Sequence, residues 1–371
     1  MSRNTPRSRF LSYLRDPSGH RPPVSPFLPK PDVIEATLRH LALPLPRDPG
    51  GAYDPVAGEV ALAEALDYEP MFMVGCTQFI FPWALDPERS DPETATYAID
   101  TGAGRWEKRV PRAHGLGSTA GSFPVQTEED HRCFQAACAD TAGRLDQARA
   151  FFRDWRRRAG EGGVIVIGHV NPYWLAHQIG QADIFLHYSS FPDTYRRSMD
   201  AVYQASLALF AVGLEEGFDF MSASGLGLEM TSPHLFEEMD LPYLRAYADW
   251  THGRGGLFWY HNCGQTRKLI DGGAFGRIEA DVIETLAPPP TGDNDLADAR
   301  RRLATRTCTK GNLDLDLLRD GTAAQVAAAT RAVVAAVAGR PHIYSTADAV
   351  LPGTPPENLI AHVRTARQLT A

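Results

Sequence analysis

The chain has 371 residues, a formal net charge of −8, 43% hydrophobic residues and 22% charged residues, a composition typical of a globular enzyme and unfavourable for nucleic acid as the main partner. Its five cysteines are too few for a disulfide framework and indicate a reducing compartment. The N-terminus lacks the apolar stretch of a signal peptide, and no run of eighteen apolar residues occurs, so we expect a cytoplasmic protein without a membrane span.

Short apolar runs rich in β-branched residues alternate with longer helical patterns, which is typical of a parallel sheet with crossover helices. In the first half of the chain we predict a poor first strand at residues 22–27 and a better strand at 69–76. Residues 95–110 alternate around a glycine turn and predict a β-hairpin insertion. A long helical stretch at 127–159 begins at Thr127, which acidic residues follow in the first turn.

The same alternation continues to the end of the chain. The later predicted strands lie at 162–170, 217–225, 256–264, 277–286, 305–312 and 340–348. The later predicted helices begin at Pro172 or cover 192–214, 232–253, 295–304, 322–339 and 355–369. About eight strand–helix units result, and no glycine-rich phosphate loop opens the first of them. We therefore predict one (β/α)8 TIM-type barrel over residues 1–371, with residues 1–30 forming an N-terminal extension and the first strand.

In a barrel of this type the active site lies at the carboxyl ends of the strands. His261 and Cys263 stand near such an end, in the sequence FWYHNCGQT. Residues two apart on a strand point to the same side, so these two side chains should lie together. The spacing alone leaves two interpretations open, since a histidine and a cysteine can fill a core or bind a soft metal.

Several segments resemble one known family. FWYHNCG, GNLDLDLLRDGT and STADAVLPGTPPENL follow in this order near the C-terminus, and MTSPHLFEEMDLPYLRAY precedes them. Together they resemble the uroporphyrinogen decarboxylase superfamily, which contains porphyrinogen decarboxylases and zinc- and cobamide-dependent methyltransferases. The resemblance covers most of residues 160–371 and, more loosely, the first third of the chain. It implies a TIM-type barrel, as the alternating pattern does.

The N-terminal segment distinguishes the two branches of that superfamily. The true decarboxylases share an arginine-rich loop of the form RxxGR, which suits a substrate with many carboxylates. Here the corresponding segment is PPVSPFLPK, without an arginine after Arg21. The chain is therefore more similar to the methyltransferase branch, including its O-demethylase-like members, than to true uroporphyrinogen decarboxylases.

The methyltransferase branch carries H-x-C and one later cysteine that stands before a proline. His261 and Cys263 match the first pair, and VLPGTPPEN places Asp348 where the later cysteine is expected. Aspartate is also a zinc ligand. The resemblance therefore implies a zinc site of His261, Cys263 and Asp348, with Cys308 as the alternative third ligand and loss of the metal as a further alternative.

Further residues are candidates for chemistry at the barrel mouth. Glu229 and His169 are the predicted proton carriers, because Glu229 lies in the loop after a predicted strand and His169 stands at the end of one. The candidates for substrate contact are Asn171, Asn312, Trp259 and Cys76. Each has a structural alternative, such as a turn-fixing amide for Asn312 or core packing for Cys76.

The resemblance implies a zinc-dependent methyltransferase that moves a methyl group from a small substrate, such as a methoxylated aromatic compound, to a corrinoid protein or a similar acceptor. The chain has no corrinoid-binding DxHxxG motif, so a cobamide would be bound by a partner protein. A homodimer is the candidate assembly. The alternatives are a metal-free decarboxylase or lyase, with Arg306, Lys310 and Arg340 holding a small carboxylic acid, and a catalytically inactive barrel that serves as a binding subunit.

Overall fold

The computed structural model describes residues 4–28, 30–112, 123–168, 172–180, 183–225, 231–337 and 339–370. The strands are β1 (Met71–Val74), β2 (Ala84–Asp86), β3 (Thr94–Thr101), β4 (Gly104–Pro111), β5 (Val164–Ile167), β6 (Phe220–Ser224), β7 (Leu257–Asn262), β8 (Val282–Thr285), β9 (Cys308–Leu313) and β10 (His342–Thr346). The first helices are α1 (Pro6–Arg15), α2 (Pro31–His40), α3 (Pro55–Leu66), α4 (Glu128–Ala139), α5 (Leu145–Ala159), α6 (Pro172–Ile179), α7 (Ile184–Ser190) and α8 (Pro192–Glu215). The later helices are α9 (Pro233–Leu235), α10 (Leu241–His252), α11 (Arg267–Asp271), α12 (Ala274–Ile278), α13 (Leu296–Arg302), α14 (Leu315–Asp320), α15 (Ala323–Val337) and α16 (Pro356–Thr370).

The strands form two sheets. Within the described residues, a 7-stranded parallel sheet has the order β1-β5-β6-β7-β8-β9-β10, and helices connect its strands. A 3-stranded antiparallel sheet, β2-β3-β4, lies between β1 and β5 in the chain. The curled parallel sheet with surrounding helices confirms the predicted α/β class and TIM-type barrel. The predicted hairpin insertion is also confirmed as β3 and β4, and β2 joins it as a third strand that the sequence pattern did not reveal.

The prediction of a first strand at residues 22–27 was wrong, because this segment forms no regular strand. Only one isolated bridge forms there, between Val24 and Tyr344 of β10. The segment contains three prolines, which cannot donate to a ladder. Its backbone nevertheless bonds on both sides, because the Ser25 amide donates to the Tyr344 carbonyl (2.8 Å) and the Glu69 amide donates to the Val24 carbonyl (2.9 Å). This segment therefore lies between β10 and the start of β1 and bridges the two edges of the parallel sheet.

The N-terminal helix α1 covers one end of the barrel interior. Two side chains of α1 and inward-facing side chains of the parallel strands form one apolar cluster. The members of this cluster include Phe10, Tyr13, Val164, Phe220, Trp259, Val282, Cys308 and Ile343. The Tyr13 hydroxyl accepts a hydrogen bond from the amide of His342, the first residue of β10, at 2.9 Å. Helix α1 thus lies at the amino ends of the strands, and the opposite end is left for a functional site.

The predicted helix start at Thr127 is confirmed by its hydrogen bonds. The Thr127 side chain accepts from the Asp130 amide, and the Asp130 side chain accepts from the Thr127 amide, which is a reciprocal capping arrangement. The predicted helix at 127–159 is divided into α4 and α5 by a short 3-10 turn, Asp140–Arg144. Across the described part of the chain, no helix combines the length and the apolar character needed to cross a membrane.

Candidate metal centre

The candidate site lies at the carboxyl ends of β7 and β10. His261 is the penultimate residue of β7, and Cys263 follows directly after that strand. Asp348 lies just beyond the end of β10 at Thr346. The curvature of the sheet brings these segments together, although β8 and β9 lie between them in the sheet.

The three side chains form one cluster of potential ligands. A ring nitrogen of His261, the sulfur of Cys263 and a carboxylate oxygen of Asp348 all lie within 4.8 Å of one another. His261 is buried, Asp348 is half-buried and Cys263 is exposed. Nitrogen, thiolate and carboxylate donors all suit zinc, and three protein ligands leave a further position open, as in catalytic zinc sites. The donor set and its spacing therefore fit a zinc ion.

Asp348 is held by the backbone of its own turn. The Ala349 amide donates to Oδ1 of Asp348 at 2.6 Å, and the Thr346 hydroxyl donates to the Asp348 carbonyl at 2.6 Å. These bonds fix the turn after β10 and the direction of the carboxylate. A ligand that is ordered in advance loses little conformational freedom when it binds an ion.

A buried ion pair lies directly behind His261. Nδ1 of His261 is 2.9 Å from Oε1 of Glu284, and Nζ of Lys310 donates to Oε2 of the same carboxylate at 2.8 Å. The side chains of Glu284 and Lys310 are each only 1% exposed. Because Glu284 engages Nδ1, the other ring nitrogen of His261, Nε2, is the one that can bind a metal.

Strand register explains why these three residues meet. His261 of β7 is paired with Glu284 of β8, and Glu284 is paired with Lys310 of β9. Neighbours in register on adjacent strands point to the same face of a sheet. The three side chains thus form a row across the barrel interior that ends at the candidate metal centre.

Contacts within the row of His261, Glu284 and Lys310 shift the pKa values of His261 and Glu284. Burial opposes the charged imidazolium, but hydrogen bonds to Cys263 and Glu284 and the charges of Glu284 and Asp348 outweigh it, so the pKa of His261 is raised well above its ordinary value. Burial would raise the pKa of Glu284, but the charge of Lys310 and the contact with His261 outweigh burial and lower it. Glu284 is therefore a carboxylate in the folded protein.

The sequence-based prediction did not assign Glu284 and Lys310 to the metal centre. Both stand in segments, VIETL and CTKGN, that lie within predicted strands. A charged residue inside a buried strand is almost always paired, and this was the available signal. The partner could not be identified from the sequence, because the relative register of β7, β8 and β9 is set by the whole barrel.

The alternative third ligand, Cys308, lies at the wrong end of the barrel. It is the first residue of β9 and packs in the apolar cluster with Tyr13 of α1. Burial raises the pKa of its thiol to about 12. Cys308 is therefore a core residue at the amino ends of the strands, remote from the cluster of His261, Cys263 and Asp348.

Three of the four candidates for substrate contact lie within the described residues, and each of the three makes packing or backbone contacts. Trp259 is fully buried and packs edge-on against Phe220, with ring centroids 5.2 Å apart. Cys76 is fully buried, and burial raises the pKa of its thiol to about 12. The Asn312 amide donates to the Leu286 carbonyl at 2.8 Å, which favours the turn-fixing alternative, although Asn312 also lines a cavity of about 550 Å³ beside α13 and α15. His169, Asn171 and Glu229 lie outside the described residues.

The basic residues named for a metal-free lyase do not meet at the barrel mouth. Arg306 precedes β9 and lines a cavity with Cys308. Arg340 precedes β10 and donates to the Arg300 carbonyl at 2.7 Å. Both arginines therefore lie at the amino ends of the strands, whereas Lys310 is engaged by Glu284. The predicted anion clamp was wrong, because Arg306 and Arg340 lie at the end of the barrel opposite the proposed site and Lys310 is already paired with Glu284.

The fold is a TIM-type barrel. Nitrogen, sulfur and oxygen donors at the carboxyl ends of its strands form a candidate metal centre. The sequence model of the family described as Uroporphyrinogen decarboxylase (URO-D) matches residues 183–369, just over half of the 371 residues. The chain belongs to the uroporphyrinogen decarboxylase family. The family resemblance seen in the sequence is thereby confirmed.

Three of the matches among solved structures illustrate the range of similarity. A methyltransferase from Methanosarcina mazei matches with a TM-score of 0.65 and 15% identity, covering 99% of each chain. A B12-independent methionine synthase from Shewanella sp. W3-18-1 matches with a TM-score of 0.47 and 13% identity, covering 94% of this chain and 98% of the other. A putative vitamin-B12-independent methionine synthase from Listeria monocytogenes has a TM-score of 0.43 and 8% identity, covering 94% and 96%. No curated protein sequence gives a match.

Proposed function

We propose that the chain is a zinc-dependent methyltransferase that takes a methyl group from a small substrate, for which a methoxylated aromatic compound is the preferred example. The observation that carries this proposal is the cluster of His261, Cys263 and Asp348, whose donor atoms lie within 4.8 Å of one another at the carboxyl rim. Membership of the uroporphyrinogen decarboxylase family and the fold shared with a solved methyltransferase support the reaction class.

The three rim residues would hold the zinc ion, and Glu284 would keep His261 oriented toward it. When bound, zinc supplies a Lewis acid that polarises the heteroatom carrying the methyl group. The exposed position of Cys263 and the half-buried position of Asp348 leave the cluster open to solvent on one side, where a substrate can approach. Glu229 and His169 remain our candidates for carrying a proton.

The methyl acceptor in this proposal is a corrinoid protein or a similar carrier. The sequence has no DxHxxG motif of its own, so a cobamide would be supplied by a separate protein docking over the barrel mouth. The metal-free lyase alternative has less support, because Arg306 and Arg340 lie at the amino ends of the strands, away from that mouth.

Metal content is the direct test of the proposal. We expect the purified protein to bind one zinc ion per chain, and Cys263→Ala to lose it because the thiolate ligand is gone. Cys308→Ala is the matched control, since Cys308 is a buried thiol in the same barrel but at its other end. Zinc measured by elemental analysis should be retained in Cys308→Ala.

Two outcomes contradict the proposal. Wild-type protein that takes up no zinc after dialysis against the metal would remove the proposed mechanism. Zinc that is lost from Cys308→Ala but kept by Cys263→Ala would move the metal to another site. Zinc bound as expected then permits a methyl-transfer assay with methoxylated aromatic compounds and a corrinoid acceptor.

A further inference from the structure

A cavity of about 150 Å³ lies beside β1, between the helices α2, α3 and α5. It shares no residue with the cluster of candidate metal ligands. We propose that this cavity is a binding site for a small alkylammonium ion, whose charged head pairs with the carboxylate of Glu59 and whose alkyl chain contacts the apolar walls. The proposal is independent of the zinc centre and of methyl transfer.

The walls of this cavity are apolar except at one residue. Three aromatic side chains line it from different segments: Phe27 before α2, Phe72 of β1 and Trp155 of α5. Among the described lining residues, Glu59 of α3 is the only one with an ionisable side chain. Aromatic rings suit an organic cation, and apolar cavities of about 150 Å³ bind molecules of benzene size. The cavity therefore has the size and the lining for a short alkyl chain that ends in one charged group.

Glu59 lies in this apolar setting without a partner. The residue is only 5% exposed, and its Oε1 atom has no hydrogen-bond partner among the described residues. Burial raises the pKa of its carboxyl group well above the ordinary value. The charge of Glu59 also raises the pKa values of Tyr53 and Tyr68. Because a buried polar atom without a hydrogen bond is unfavourable, Glu59 provides a specific point of attachment for a ligand with N–H groups.

The charged groups around the cavity leave Glu59 without a cation. Glu35 and Asp54 bring only negative charge to this region. Arg158 of α5 pairs with Asp54 at 2.8 Å, and its guanidinium lies 5.5 Å from the ring centroid of Trp155. Among the described residues, no lysine, arginine or histidine contributes to the pKa of Glu59. A cation for this carboxylate would therefore have to come from a ligand.

A gap in the backbone pairing explains why the cavity lies here. The Val24 carbonyl accepts a hydrogen bond from the Glu69 amide, just before β1, at 2.9 Å. Beyond Val24 the segment bonds to the other side, and the Phe27 carbonyl accepts from the Val350 amide at 2.9 Å. Within the described part of the chain, residues 25–28 form no backbone hydrogen bond to β1. The cavity thus lies at a seam of the barrel wall, where regular strand pairing is interrupted.

Pairing with an ammonium ion would change the protonation of Glu59. A cation beside a buried carboxyl group favours the ionised form, so the carboxyl proton leaves to solvent as the ligand binds. The N–H groups of the ligand then donate to the carboxylate oxygens. A neutral alcohol of the same size can share a hydrogen bond with the protonated acid, but its binding releases no proton. Proton release therefore distinguishes an ammonium site from an apolar void that accepts any small molecule.

The test uses n-butylammonium and 1-butanol, which have the same number of non-hydrogen atoms. We expect isothermal titration calorimetry to show at least about 10-fold tighter binding of n-butylammonium, because charge-assisted hydrogen bonds are stronger than neutral ones. At a pH of about 6, where an ordinary glutamate is already ionised, we expect close to one proton to be released per bound ion. Titrations in two buffers with different ionisation enthalpies measure this release.

Two variants on the same helix assign the effect to one carboxyl group. Glu59→Gln removes the charge and should weaken n-butylammonium binding at least about 10-fold and abolish the proton release. Glu64→Gln is the control, since Glu64 is also in α3 but is exposed, and it should behave like wild type.

Three outcomes would overturn the proposal. In the first, neither probe binds to the wild-type protein. In the second, both probes bind equally tightly and without proton release, which would identify an apolar void only. In the third, n-butylammonium binds equally to wild type and Glu59→Gln, which would place the amine elsewhere, for example at the metal centre. If Glu59→Gln does not fold, the proton release and the preference between the two probes in the wild-type protein still decide.

Discussion

At the scale of single residues, Asp348 is the feature that sets this site apart. By the family resemblance, a cysteine is expected where Asp348 stands, and a carboxylate is a harder ligand than a thiolate. Its direction is fixed by the Ala349 amide, which donates to Oδ1 at 2.6 Å. The substitution leaves a donor set of one nitrogen, one sulfur and one oxygen, which is less rich in thiolate than the pattern it replaces.

Two substitutions at this position separate ligand chemistry from packing. We expect Asp348→Asn to weaken zinc binding by at least about 100-fold, since losing even an outer hydrogen-bond partner of a ligand costs roughly 10–100-fold. Asp348→Cys should retain zinc, because a thiolate replaces the carboxylate as a ligand. Competition with a chromogenic chelator measures both affinities. Equal zinc affinity in wild type and Asp348→Asn would remove Asp348 from the ligand set.

At the scale of elements, strand β9 shows how closely the barrel wall is packed beside the site. Gly311 stands between Lys310 and Asn312 with φ of +135°, a conformation that favours glycine. A Cβ atom built there would lie 2.3 Å from the carbonyl oxygen of Thr285 on β8. Both the backbone conformation and the space therefore require glycine at the centre of this strand.

Gly311→Ala should destabilise the protein by about 2–4 kcal/mol, through backbone strain and displacement of β8. Thermal or denaturant unfolding measures the loss. Gly276→Ala is the control: Gly276 lies in α12 with open space around a built Cβ, and alanine there should be neutral or stabilising by up to about 1 kcal/mol. Similar stability of both variants would show that β9 tolerates a side chain at position 311.

The elements that the sequence predicted well are those with strong local patterns. Strands such as β5 (VIVI) are runs of buried β-branched residues. Helix α4 is capped by Thr127, and acidic residues follow in its first turn. The alternation of such segments was enough to predict the barrel. The missed elements are helices α1, α3, α7, α11, α12 and α14 and strand β2, most of which are short or lack a clear apolar periodicity.

Only those residues of the site that a single sequence segment identifies could be predicted. The rim positions of His261, Cys263 and Asp348 followed from strand ends and from the family resemblance, and the structure brings the three together. The row of Glu284 and Lys310 depends on the register between neighbouring strands. Register is fixed by long-range packing around the barrel, so no local pattern contains it.

At the scale of the whole molecule, buried histidines connect stability to pH. Burial lowers the pKa of His131 and of His362 to about 4, and that of His342 to about 3, from an ordinary value of 6.5. At these three positions the unfolded chain therefore binds more protons than the folded chain below pH 6.5, and their contribution to the free energy of unfolding falls as the pH decreases toward 4. For His362 alone the loss is on the order of 3 kcal/mol over that range.

His362→Gln should therefore flatten the pH dependence of stability. Denaturant unfolding between pH 6.5 and 4.5 measures it, and we expect a slope lower by up to about 1.4 kcal/mol per pH unit. His234→Gln is the control, because the His234 side chain is 85% exposed and its loss should leave the slope unchanged. The same slope in wild type and His362→Gln would show that this histidine is free to take up a proton in the folded state.

The pairing of residues 22–27 with β10 has a consequence for how the protein is made. The Ser25 amide and the Tyr344 carbonyl, which bond at 2.8 Å, are separated in the sequence by the first six strands of the parallel sheet, so they leave the ribosome at different times. A nascent polypeptide consequently carries an open, unpaired sheet edge until β10 has emerged. Because Asp348 follows β10 directly, the three donors of the proposed metal centre can meet only after β10 has been made, and the many contacts between distant segments favour slow closure.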